Sequence, residues 1–430
     1  MSFPKYPAYK DSGVEWIGEI PEGWEVTPIK RQAHLHTEKT TKSVFTVALE
    51  NIESGTGKFI ITENQFQGDG IGFQVDDILF GKLRPYLAKV WLANCYGEAI
   101  GDFHVIRSDK CNAHFLQWLL LSIEIISQID GSTFGAKMPR ASWEFIGQLN
   151  IPIPSLPEQK AIAIFLDREC KKIDALIEEQ ERLIALLQEK RQAVITHAVT
   201  KGLEPNVSMQ DSGIKWIGEV PQTYRIIRLS LLFNIISSGT TPTTDNESFY
   251  DGNIAWVTTG ELKEKGISET TKNITELAFS HFPALRLYPP NTLLIAMYGA
   301  TIGRLGWLEV AAATNQACCA LADSHQVEMK FIFYTLLAAK QSLVLLSSGG
   351  GQPNINQDKI RSFKVPVPSL AEQKQIILHL DKSTSEIDDL INHANQNASL
   401  LKERRSALIS AAVTGKIDVR TLVKPKDIAA

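Results

Sequence analysis

Apolar residues recur every seven positions through Leu166, Ile173, Leu187 and Val194, with Gln180 interrupting the series. The same spacing returns at Leu380, Ile387, Leu401 and Leu408, with Ala394 at the interrupted place. A second row, Leu176, Ile177, Leu183 and Ile184, is expected to widen the first stripe. An apolar period of seven held over this distance predicts a long helix that pairs with another. Ser155-x-x-Glu158 and Ser369-x-x-Glu372 stand where such helices begin, and a serine three residues ahead of a glutamate can close a capping box over the free N–H groups. Val199-Thr200-Lys201-Gly202 and Val413-Thr414-Gly415 supply the stops, since glycine accepts the left-handed cap. About forty residues at 1.5 Å rise make a rod of roughly 60 Å, the length of a spacer rather than of a core helix.

The two helical stretches are copies. Ile151 to Gly202 matches Val365 to Lys416 without a gap at an offset of 214, and ahead of each globular part Asp11-Ser-Gly-Val matches Asp211-Ser-Gly-Ile at an offset of 200. The second copy has therefore gained a net fourteen residues (214 − 200) between Tyr224 and Asn291. The chain reads as a tandem duplication whose unit is a leading segment, a globular region and a long helix. We divide it into 1–154, leading segment and first globular domain; 155–202, the central helix; 203–368, the second leading segment and domain; 369–416, the C-terminal helix; and 417–430, a tail. The globular regions read as mixed α/β. Strand-like runs are Val44 to Leu49, Ile78 to Phe80 and Phe103 to Ile106 in the first, with Ile254 to Thr258, Thr292 to Ala296 and Ala317 to Leu321 in the second. Phe115 to Leu121 and Phe331 to Leu337 have the apolar density of buried helices.

Composition narrows this picture only a little. A chain 44% hydrophobic and 21% charged is ordinary for a water-soluble protein, and nothing approaches an unbroken apolar span. The start, lacking the apolar core of a signal peptide, points to the cytoplasm, and no membrane partner is expected. The five cysteines contain no C-x-x-C pair, so reduced thiols are expected. A net charge of −4 does not advertise nucleic acid, so any binding of DNA must rest on local basic patches or on partners.

Catalytic patterns are weak. Phe66-Gln-Gly-Asp-Gly70 spells a cofactor-loop pattern, but no N-P-P-Y follows, and no phosphate-binding G-x-x-x-x-G-K-[ST] occurs. Asp251, Glu261 and Lys263 match a nuclease triad only loosely, and a metal site at His34 and His36, two residues apart, is not expected. A methyltransferase or nuclease acting alone, and a coiled-coil scaffold without DNA, are the competing readings.

Two variable globular regions, each followed by a near-identical helix opening on P-x-P-x-L-x-E-Q-x-x-I at 152–162 and 366–376, with G-E-I-P-E-G-W at 18–24, resemble the specificity subunits of Type I restriction–modification systems. The resemblance implies a fold in which two α/β target recognition domains are carried on two long helices that form an antiparallel coiled coil with pseudo-two-fold symmetry. It implies a non-catalytic chain that reads a bipartite site on double-stranded DNA and binds two modification (methyltransferase) subunits and, through them, restriction subunits. S-adenosylmethionine, ATP and Mg would be used by those partners, and no cofactor by this chain.

Within that expectation, residues that can touch bases or phosphates beside glycine or proline are the candidate readers. In the first domain Lys82, Arg84, Tyr86 and Lys89 lie in a turn leaving a strand, and its counterpart holds Tyr298, Thr301 and Arg304. A second candidate precedes each long helix: Lys137 and Arg140 in one copy, Gln352, Asn354 and Asn356 in the other. Arginine pairs bidentately with guanine and asparagine or glutamine with adenine, whereas lysines and hydroxyls more often hold phosphate. Glu50, Asn51, Lys58, Thr240, Thr241, Thr258 and Thr259 are weaker candidates.

Overall fold

The computed structural model describes residues 3–40, 45–62, 70–133, 138–347 and 354–424. It divides into two compact units, one combining Met1–Glu181 with Asn395–Ala430, the other spanning Arg182–Ala394. The boundary falls inside both long helices, Leu156–Lys201 and Leu370–Val413, so each unit contains part of each helix.

The helices are 46 and 44 residues long and end on Gly202 (φ 76°) and Gly415 (φ 77°), the left-handed caps the sequence predicts. In the first unit Asp174 pairs with Arg405 at 2.8 Å and Glu181 with Lys402 at 3.2 Å, so one helix advances as the other retreats. In the second unit Arg191 binds Asp388 at 2.8 Å, while Ile195, Ala198 and Val199 share a core with Ile376 and Leu380, again in opposite directions. The pairing is antiparallel within each unit.

The buried seam differs in one respect from the expected stripe. Leu166, Cys170, Ile173 and Ile177 are buried along the first helix, and Leu380, Thr384, Ile387, Ala394 and Ala398 along the second, in steps of three, four or seven. Leu176 and Leu183, expected to widen the stripe, are 51% and 43% exposed. Each lies one residue ahead of the seam positions Ile177 and Ile184, about 100° round a helix of 3.6 residues per turn, and so turns to water. The seam also takes in two charged residues the heptad reading passed over, Arg191 and the buried Arg405.

In each unit the globular part is three-layered. The first has a four-stranded sheet in the order Ala33–His36, Phe103–Ser108, Ile78–Gly81, Val90–Leu92, all antiparallel. Alternate residues explain its burial on both faces. Ile78, Phe80, Val90 and Ile106 join the core with the helices Ala113–Leu121 and Ile123–Gly131, while Leu79, Trp91, Phe103 and Val105 join a second core. That second core lies under a smaller sheet of Lys39–Thr40, Gly70–Phe73, Gly97–Ala99 and Thr46–Val47. The second unit repeats the plan with Ile235–Ser238, Cys318–Ala322, Leu293–Ala296, Leu305–Leu308 and an added Gly266–Ile267, beside a three-stranded sheet of Asn273–Ile274, Tyr250–Val257 and Ala312–Thr314. Gly266–Ile267, Asn273–Ile274 and the helix Glu276–His281 all fall in the interval where the sequence places the fourteen-residue gain.

The P-x-P-x-L-x-E-Q motif now has a physical meaning. Gln159 is buried; its Nε2 donates to Pro154 O at 2.8 Å and its Oε1 accepts from the Asn112 N–H at 2.7 Å, where Asn112 caps the helix Ala113–Leu121. Gln373 does the same with Pro368 O at 3.0 Å and the Glu328 N–H at 2.8 Å. One buried amide thus fixes each long helix to the domain it follows. Ser369 accepts the Glu372 N–H at 3.3 Å, as a cap should. The glutamates, expected to reach back and close the box, instead accept tyrosine hydroxyls from the leading segments, Tyr6 to Glu158 at 2.7 Å and Tyr224 to Glu372 at 2.8 Å. Burial, then the carboxylate, pushes both phenols far above their ordinary range, so each remains a donor. The tail belongs to the first unit's core through Ile417, Val419 and Val423, and the Asp418 N–H donates to Pro4 O.

His104 gives the first unit a pH dependence. It is buried, its Nε2–H donates to Ala141 O at 3.1 Å, and burial lowers its pKa to about 4 from an ordinary 6.5. Between those values the unfolded chain takes up a proton that the folded one refuses, so stability is full above pH 6.5 and falls as pH drops toward 4. At 1.36 kcal/mol per unit the loss is on the order of 3 kcal/mol. Denaturant melts of His104→Gln across this range are expected to show a flatter acid limb than the parent; an unchanged slope would assign it to other groups.

Candidate nucleic-acid interface

Strand order decides where the loops emerge. In the first unit Ala33–His36 and Ile78–Gly81 end where Phe103–Ser108 and Val90–Leu92 begin, so the segments after 36 and 81 and before 103 leave one edge of the sheet. In the second unit Ile235–Ser238 and Leu293–Ala296 end where Cys318–Ala322 and Leu305–Leu308 begin, which gathers the segments 239–246, 297–304 and 315–317 in the same way.

The two candidate segments of each domain, far apart in sequence, meet at this edge. In the first unit the Arg84 N–H donates to Pro139 O at 2.9 Å, the Ala141 N–H to Lys82 O at 2.9 Å, and Leu83 bridges to Arg140. In the second Tyr298 bridges to Asn354, and the Ile355 N–H donates to Met297 O at 2.9 Å. The backbone frame is shared; the side chains on it are not.

The candidates fare differently. Arg84 is exposed, in the left-handed region (φ 51°), and its guanidinium has no partner among the described residues. Such a conformation costs roughly 1 kcal/mol or more for a residue with a Cβ. Lys82 is half-buried beside it. Arg140 is exposed and pairs with Asp102 at 3.0 Å, a weak surface contact open to exchange. Tyr86 is exposed but lines a cleft of about 510 Å³ toward Leu121, Ile123 and Asp174. Lys89 points inward, its ammonium donating to Leu49 O at 2.6 Å and Ile52 O at 2.9 Å. In the second unit Tyr298 and Arg304 are exposed, Arg304 without a side-chain partner among the described residues. Thr301 donates to Tyr298 O at 3.1 Å, Asn354 is half-buried, and Asn356 Oδ1 accepts the Lys359 N–H at 2.9 Å, capping the helix Gln357–Ser362. Lys137, Gln352 and most of the 66–70 loop lie outside the described residues.

Other weak candidates serve the frame. Asn51 is buried, accepting the Ala48 N–H and donating to Ile60 O and Thr62 Oγ1. Glu261 accepts the N–H groups of Thr258 and Thr271 and so holds two turns together. His34 does find an acid in space, Asp109 at 2.8 Å, yet no group of three metal-ligating side chains occurs among the described residues.

Several residues at the edge went unnoticed in the sequence. Gln316 is exposed on the 315–317 turn and accepts a hydrogen bond from Thr241. Beside it a cleft of about 550 Å³ is lined by Tyr250, Trp256, Asn315 and Lys272, likewise unmarked, together with Thr258 and Lys263, and the ammonium groups of the two lysines have no partner among the described residues. The signal was present as the threonine pairs 240–241 and 258–259, but not the strand order that unites them.

These features define a class: a tandem α/β protein with one loop-bearing edge per domain and a long helix behind each. A family profile described as the Type I restriction modification DNA specificity domain matches residues 21–185 and 221–399. The chain belongs to that family. It is 24% identical over 445 residues to the Type I restriction enzyme MjaVIII specificity subunit of Methanocaldococcus jannaschii, covering 94% of this chain and 95% of that one. To the EcoKI specificity subunit of Escherichia coli K12 it is 22% identical, covering 96% and 93%. Among solved structures, a chain from work on complex assembly and conformational transition of the type I R-M system superposes with a TM-score of 0.73 at 17% identity, covering 92% of this chain and 98% of that one. The HsdS subunit of Thermoanaerobacter tengcongensis gives 0.53 at 17%, covering 93% and 98%. At such identities these two likenesses concern the fold.

Lys89→Ala leaves two carbonyls without their charged donor and is expected to lower unfolding stability by about 1–3 kcal/mol. Arg84→Ala is expected to leave stability within about 0.5 kcal/mol of the parent. Denaturation of both variants checks the pair.

Proposed function

We propose that this chain is the DNA-sequence-specificity subunit of a Type I restriction–modification complex and carries no catalytic chemistry of its own. Each domain reads one half of a bipartite site with its loop edge, and the helix pair sets the distance between the halves. Two modification subunits, which use S-adenosylmethionine, dock on this chain, and restriction subunits using ATP and Mg join through them. The observation that carries this reading is the duplicated edge: the same two segments meet in both domains, yet present Arg84 and Arg140 in one and Tyr298 and Asn354 in the other. A common frame with different side chains suits two readers of different sequence. Double-stranded DNA offers equivalent groove faces about 34 Å apart, one helical turn, well within the reach of helices of this length. The chain's net charge of −4 fits a subunit whose partners share the phosphate contacts. Because the target adenine must leave the base stack to be methylated, the assembled complex also has to open or bend the duplex. Acting on DNA, the chain would work in the cytoplasm; among the described residues no helix is long and apolar enough to cross a membrane.

Sequencing methylated adenines in DNA exposed to the chain reconstituted with its modification subunits tests the proposal, and no enriched sequence would point to a scaffold. Exchanging residues 1–150 for those of a relative with another specificity should change one half of the site and leave the other. A change in both halves would remove the idea of independent readers. Arg84→Ala or Arg304→Ala is expected to weaken cognate binding by about 1–3 kcal/mol and to relax one position of the site.

A further inference from the structure

Arg405 occupies a seam position of the second long helix, where an apolar residue is the rule, and its side chain is only 8% exposed. Its Nε donates to Asp174 Oδ1 on the first long helix at 2.8 Å. Its other two nitrogens leave the helix pair altogether, Nη1 donating to Gly55 O and Nη2 to Thr56 O, each at 2.9 Å. The guanidinium carbon lies 5.6 Å from the centre of the Trp118 ring, on the helix Ala113–Leu121. One rigid, planar group is thereby fixed from several sides, as a lysine with its single nitrogen could not be.

The loop it grips leads directly to the reading edge. Gly55, in the left-handed region (φ 72°), turns its carbonyl to Arg405 and donates its own N–H to Ala88 O at 3.1 Å, inside the segment that presents Arg84. Lys58, closing the same loop, reaches Asp174 at 3.4 Å and Glu178 at 3.1 Å. Gly57 packs so tightly on the Ala113–Leu121 helix that a Cβ there would meet Gln117 Nε2 at 2.9 Å. Helix pair, loop and reading segment are joined in series.

The duplicate pair shows what is special here. Arg191 and Asp388 are the repeat equivalents (405 − 214 and 174 + 214), but Arg191 directs both Nε and Nη2 to Asp388, at 2.8 and 3.3 Å, and the pair is 25% and 47% exposed. There it is a bidentate bridge between helices.

We propose that Arg405, oriented by Asp174, is a positioning residue that fixes the reading edge of the first domain on the helix pair and so holds the complex to one spacing between half-sites. The inference rests on the recognition function proposed above. With the clasp loosened, the first domain still folds and still reads its half, but its edge can pivot enough to engage a half-site displaced along the duplex.

The test reconstitutes the full chain with its modification subunits and sequences methylated adenines in a library carrying spacers of every length over about one helical turn. The parent should select one spacer. Arg405→Lys should keep both half-site sequences while methylation at neighbouring spacers rises roughly three- to tenfold relative to the parent, the size of a contact coupling. Arg191→Lys should keep the parental spacer. Asp174→Asn, which preserves side-chain shape, should behave as Arg405→Lys does and decides the matter if the latter does not fold. An unchanged spacer in the clasp variants overturns the proposal, as does equal broadening in Arg191→Lys, which would assign the effect to helix pairing. Loss of the first half-site's sequence also overturns it, since Arg405 would then support the domain's fold rather than its placement. A parent that selects no two-part sequence refutes the recognition function itself.

Discussion

A helix of 46 residues with an apolar stripe leaves that stripe in water unless a partner covers it, and pairing of the two long helices is the constraint on which this protein depends. The stripe is buried in steps of three and four, and the direction of pairing is set by charged contacts as well as by packing. Asp174 with Arg405 and Arg191 with Asp388 are satisfied in the antiparallel arrangement of their own units. Breaking the buried Asp174–Arg405 pair leaves a charge in the seam without its partner, which costs more than such a pair contributes when intact, whereas the more exposed Arg191–Asp388 pair is worth less.

What the helices carry is fixed to them by a second, smaller interaction. A buried glutamine side chain at each helix start has two hydrogen bonds to make and makes both, one back to the proline turn and one to the first free N–H ahead of a domain helix. An amide buried with either bond missing would be costly, so the start of each long helix is held to its domain at this point. The arginine clasp adds a tie of a different kind in the first unit, to a loop rather than to a helix start. The two units thus share a plan but differ in this tie: Arg191, the repeat equivalent of the buried Arg405, gives both its hydrogen bonds to Asp388 on the other long helix.

The loop edges show how a duplicated frame accommodates different side chains. Backbone hydrogen bonds hold the segments together in both domains, leaving side chains such as Arg84 and Tyr298 free to differ. The interval of the second domain that holds the net gain carries the strand Gly266–Ile267, the helix Glu276–His281 and one wall of the cleft around Trp256 and Lys272. The strand Gly266–Ile267 joins the central sheet only at its edge, beside Leu305–Leu308.

The duplication, the two long helices with their glycine stops, the α/β alternation and the segments bearing Arg84, Arg140, Tyr298 and Asn354 were all legible in the sequence, because periodicity and repetition are local, one-dimensional properties. Which side of the stripe is buried was not: Leu176 and Ile177 are equally apolar, and only the partner helix selects between them. Nor could spacing reveal that Lys89 turns inward to two carbonyls, that Asn51 and Glu261 hold turns together, or that residues some fifty positions apart meet at one edge. Those outcomes depend on which strands pair and on which backbone groups would otherwise be left buried without a partner, and both are decided only when distant parts of the chain come together.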